Sequence, residues 1–170
     1  MTAAGALVLL GGCGGAATGT TTATSSPATA KAEYVAKANA VCAAAAARTG
    51  KLLGEVEGAT TAAMRAPSAS AGTQLAVLVG HLHDGALTVL GQLEGLKAPA
   101  GEEAAVERFL QPLAHSIAGL GEAARAITGG HATRALGSLV ELQAKTPQLA
   151  SAAQAAGLSQ CEGVLSGPSG

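Results

Sequence analysis

Four runs of this chain repeat apolar side chains at steps of three and four residues, and no stretch sustains a period-two alternation. Tyr34, Ala38, Val41, Ala45, Leu52 and Val56 make the first stripe, and Leu75, Leu78, Leu82, Val89, Leu93 and Leu96 the second. The third carries Val106, Leu110, Leu113, Ile117, Leu120, Ala124 and Ile127. It keeps its phase across Pro112, which predicts one kinked helix rather than two. The fourth shows Ala132, Leu136, Leu139, Leu142, Leu149 and Ala153, with Pro147 inside it. Gly58 and Pro67 bracket the first connection, Pro99 and Gly101 the second, and Gly129-Gly130 makes the third. Gly157 is a left-handed stop for the last helix. Four helices of roughly 25 residues with short turns predict an all-α, antiparallel up-down-up-down four-helix bundle.

Composition narrows the reading. The 170 residues suit one domain. They are 48% hydrophobic but only 1% aromatic, so the apolar content is mainly alanine and leucine, which favours helix over sheet. Charged residues are 12% and the formal net charge is −1. Such a chain offers nucleic acid neither a basic footprint nor aromatic rings to stack on. Its core is modest, because alanine buries little and Gly80, Gly85, Gly91, Gly119 and Gly121 each cost up to about 1 kcal/mol unless they let helices approach closely.

The amino terminus speaks to location. "LVLLGGCGG", Leu7 to Gly15, is a short apolar run that ends on small residues and a cysteine. Leu10-Gly11-Gly12-Cys13 resembles a bacterial lipobox, in which the thiol takes a diacylglyceryl group and its residue becomes the mature N-terminus. On this reading residues 1–12 are a signal peptide and Cys13 is the lipidation site. No Lys or Arg precedes Cys13 and the apolar run is short; a translation start upstream of Met1 would supply both features. The run is too short to span a bilayer, which takes about 20 apolar residues. Residues 13–30 then hold no charge and no large apolar side chain, and are expected to be a disordered tether reaching on the order of 20 Å. The competing reading is a flexible cytoplasmic segment with an incidental cysteine. The helical bundle is assigned to 31–165, and 166–170 to a disordered tail.

Three cysteines are present, Cys13, Cys42 and Cys161. An odd number in an exported chain leaves one thiol to be occupied otherwise, and lipidation of Cys13 leaves an even pair. Cys42 lies about three turns into the first helix, and Cys161 just past the fourth, at the same end of an antiparallel bundle. A C-terminal tail folding back could join them, closing a loop worth roughly 4–5 kcal/mol. The alternative for each is a small buried core residue. No CxxC unit supports zinc, redox or haem chemistry.

"AEYVAKANAVC" and "GLSQC" also resemble the paired motifs of small exported helical proteins and lipoproteins of high-GC actinobacteria. Tyr34, Ala38 and Cys42 match the YxxxAxxxC pattern, and Gly157, Leu158 and Cys161 the terminal Gly-Leu-x-x-Cys. The resemblance implies export and helical architecture, and no activity.

Candidates for chemistry are few. "GHLHDG", Gly80 to Gly85, holds His81, His83 and Asp84. On a helix His81 and His83 stand about 200° apart, so only His81 and Asp84 share a face, and two ligands do not close a metal site. His115 and His131 would have to converge with them through tertiary geometry. The simpler reading is a solvent-facing polar cluster beside the Leu78–Leu82 stripe. Glu-x-x-His pairs of the di-iron kind, a GxSxG elbow and phosphate or dinucleotide loops are missing. Glu102 and Glu103 suit a helix N-terminus. These observations predict a non-enzymatic lipoprotein without cofactor, held at the outer face of the cytoplasmic membrane through Cys13, acting by protein or small-molecule contact. A carrier of an apolar ligand in the bundle core and a metal-dependent site at His81, His83 and Asp84 are the alternatives. The sequence names no protein partner.

Overall fold

A computed structural model describes residues 26–66 and 68–166. Ser26 accepts a hydrogen bond from the Thr29 amide at 3.2 Å, and Pro27 follows at the first helical position. Both are helix-start signals. They open α1, Pro27–Arg65, four residues before the boundary expected at residue 31. Pro27 to Ala30 thus belong to the helix, not to the tether. α1 also runs straight through Gly58, where a connection was expected, and reaches 39 residues. A methyl group on Gly58 would meet nothing within 4 Å, so this glycine lies on a free face where only its modest propensity cost counts. Pro67 lies outside the described residues.

Ser68 caps α2, Ala69–Glu94, by accepting from the Ala71 amide. α3, Glu103–Thr128, continues past Pro112, as its unbroken stripe predicts. Glu103 accepts from the Gly101 amide at 2.7 Å, and Lys31 reaches Glu102 at 2.6 Å, tying the starts of α1 and α3 together. α4, Ala132–Ala155, contains Pro147 and stops at Gly157, whose φ is +77°. The Leu158 amide closes that turn on the Ala153 carbonyl at 2.8 Å, and Leu158 itself is fully buried. A fifth helix follows, α5, Ser159–Ser166, where a C-terminal tail folding back along the bundle was expected. Among the described residues no helix is long and apolar enough to cross a membrane.

The four long helices form the antiparallel bundle, with α1 on α2, α2 on α3 and α3 on α4. The ring does not close. No Cα of α1 lies within 8 Å of one in α4; α5 packs against both and stands between them at one end. The main core gathers there, around Tyr34, Ala38, Cys42, Leu93, Phe109 and Leu158. Cys42 and Cys161 are disulfide-bonded, with Cα atoms 4.9 Å apart. Asn39, one turn before Cys42, clamps the same corner: its Oδ1 accepts from the Gln160 amide at 3.0 Å and its Nδ2 donates to the Gly157 carbonyl. The helix-end donor of α5 is thereby satisfied by a side chain of α1.

Of the internal glycines, two do permit close approach. An added methyl on Gly121 would meet His83 Nε2 at 2.7 Å, and one on Gly119 would meet Leu142 at 3.1 Å. Gly80, Gly85 and Gly91 face open space.

Candidate functional site

One to three turns from the disulfide the four helices draw apart around a cleft of about 320 Å³. Its walls follow from the stripes. α1 and α3 run away from the disulfide while α2 and α4 run toward it, so lining residues fall into levels roughly one helical turn apart. Ala45, Val89, Leu113 and Leu149 form the level nearest the disulfide. Thr49, Ala86, Ser116, Ile117 and Thr146 form the middle one, and Leu53, Leu82, Leu120 and Leu142 the far one. None of these thirteen side chains is ionisable. The cleft is part-open, and α1 and α4, which both line it, bring no Cα atoms within 8 Å of each other. Beyond the far level α4 continues with Leu136 and Val140, 63% and 65% exposed.

The hydroxyls of the middle level differ in their bonding. Thr146 Oγ1 donates to the Leu142 carbonyl at 3.2 Å, the common intrahelical arrangement. Those of Thr49 and Ser116 make no hydrogen bond to any described residue. Both residues are half-buried.

The histidines do not assemble into a centre. His83 is half-buried against Gly121, with Nδ1 3.3 Å from Asp84 Oδ1, so it is not the solvent-facing residue its neighbourhood suggested. His81 and Asp84 are exposed. His115 lies on α3 with Nδ1 3.0 Å from the Gln111 carbonyl, and His131 precedes α4. Among the described residues no three His, Cys, Asp or Glu are placed to hold a metal ion. Ionisable groups line the outer α3–α4 groove instead, where Lys145 reaches Glu141 at 2.6 Å. That hydrogen bond and the ammonium charge hold the Glu141 carboxyl below its usual pKa.

One buried polar atom stands outside the cleft. Tyr34 is 5% exposed, and its hydroxyl has no partner among the described residues. Burial raises its pKa above the ordinary 10.0. Cys13 lies outside the described residues, and the structure does not bear on its lipidation.

Neither the cleft nor Asn39 was foreseen as a specific site. The stripes name the inward residues without fixing the space between them. Asn39 carries only a local signal, a polar residue between Ala38 and Cys42 on the inward side of the helix. No family model matches the chain, and no characterised protein or solved structure is found similar to it.

Proposed function

We propose that this chain is an exported lipoprotein, anchored through Cys13 to the outer face of the cytoplasmic membrane, whose helical bundle binds a small apolar molecule. The observation that carries the binding role is the cleft of about 320 Å³ with walls from all four long helices and no ionisable lining residue. That volume is at the lower end of small-molecule sites, which are concave, mostly apolar and largely preformed. The role is binding rather than catalysis: the cleft lining supplies hydroxyls but no ionisable acid or base. The Cys42–Cys161 disulfide suits an oxidising compartment and fits the exported location. The lipobox-like Leu10-Gly11-Gly12-Cys13 and the uncharged segment after it support the anchor.

Titration with Nile red, a neutral apolar dye, tests the binding role. Wild type should enhance its emission to saturation at one site per chain, and Ala86→Phe, which fills the cleft, should abolish this. Equal emission from both proteins would place the dye on the exposed α4 surface and reject the reading. The anchor is tested by expressing the gene, with its upstream sequence, in a lipoprotein-processing host. Wild type should fractionate with membranes and Cys13→Ser should not; two soluble proteins would refute it.

A further inference from the structure

Resting on the cleft as a binding site, we infer that its ligand is an uncharged, single-chain hydrocarbon molecule bearing one hydroxyl or carbonyl group. Three features of the walls point there. No lining residue can carry a charge, so a buried carboxylate, phosphate or ammonium would lose its hydration without meeting a counter-ion. Ionisable groups, His115, Glu122, Glu141 and Lys145, line the outer α3–α4 groove instead, and Lys145 and Glu141 bond each other there. A charged amphiphile is therefore disfavoured at the site itself.

The middle level adds the polar requirement. Thr49 and Ser116, from α1 and α3, add hydroxyls that bond no described residue to a lining that is apolar apart from these two and Thr146, between leucine-bearing levels on either side; Ser116 also borders the outer α3–α4 groove with His115 and Lys145. Helix threonines usually return their proton to the carbonyl four residues back, as Thr73, Thr88, Thr128 and Thr146 do. Thr49 does not, and its hydroxyl bonds no described residue. A ligand made only of hydrocarbon would cover both hydroxyls without replacing their bonds to water, at a penalty that a hydroxyl or carbonyl on the ligand removes. Size completes the description: a cleft of about 320 Å³ sits near the floor of ligand-site volumes, room for one chain and not for a two-chain lipid.

Displacement of Nile red by 1-decanol, decanoate and decane at pH 7.5 tests this, using the disulfide-bonded protein. Decanol should bind about tenfold more tightly than decanoate or decane. Thr49→Val with Ser116→Ala, which preserves shape, should bring decanol down to the level of decane. Decanoate binding as tightly as decanol, or a decanol preference that survives the double substitution, would overturn the inference while leaving the cleft as an apolar site. Wild type that binds neither dye nor decanol would overturn the cleft reading itself, and this inference with it.

Discussion

Around the disulfide, Phe109, Leu93 and Leu158 are at most 1% exposed, and Cys42 meets Cys161 across the gap between α1 and α5. One to three turns away the same four helices, with stripes of the same period, border a part-open cleft of about 320 Å³. The helix periodicity is common to both regions; side-chain volume and the fifth helix are not. At the filled end a phenylalanine, a tyrosine and the turn residue Leu158 occupy the interior, and α5 closes the side that α1 and α4 leave open. In the cleft the facing residues include Ala45, Ala86 and three short hydroxyl side chains, and among the described residues no element seals the seam. Periodicity chooses the inward face, and volume decides whether that face is a core or a binding site.

Removing the staple should break the contrast most severely. Cys42→Ala with Cys161→Ala is expected to lower stability by about 4–5 kcal/mol, read from denaturant midpoints under non-reducing conditions. Dye binding per folded molecule should be kept. Next in size, Phe109→Ala should cost about 3–5 kcal/mol, while Leu120→Ala on the cleft wall should cost about 1 kcal/mol, because that side chain is only half-buried and borders empty space. Equal losses would mean that the two regions are packed alike. Asn39→Ala should remove about 1–2 kcal/mol by uncapping α5, and faster amide exchange in α5 than in α4 would locate the effect there.

Tyr34→Phe is the smallest of these changes, within about 1 kcal/mol of wild type at pH 7, because the lost hydroxyl has no partner to leave behind. Its signature lies in alkali. The folded-state pKa of Tyr34 is raised above 10.0, so its contribution to stability is complete below that pH and is lost as pH climbs toward the folded value. Wild type should lose stability above pH 10 more steeply than Tyr34→Phe, in paired unfolding curves.

Much of this architecture was readable from residue spacing. Tyr34, Ala38 and Cys42, then Val106, Leu113 and Ile117, mark inward faces that the structure buries. The parity of the cysteines and the antiparallel order indicated the Cys42–Cys161 bridge. Three features escaped. Gly58 reads as a break because glycine weakens helices, yet nothing packs on it and α1 carries on to Arg65. α5 is only eight residues long, too short for a periodic signal, and is held by Leu158 and Asn39 rather than by its own propensity. The cleft depends on α1 and α4 standing apart, a matter of helix placement that no single stripe encodes.

The central claim, that one region is filled and the other open, is met most directly by adding volume to each. Ala38 is fully buried in the core cluster beside the disulfide, and Ala86 lines the cleft. Ala38→Phe should lower the denaturant midpoint by an amount worth at least about 3 kcal/mol, the strain of overpacking a close-packed interior. Ala86→Phe should leave the midpoint unchanged or raise it, since the ring enters empty apolar space. A loss at Ala86 as large as that at Ala38 would contradict the account, because it would show the centre of the bundle to be as full as its end.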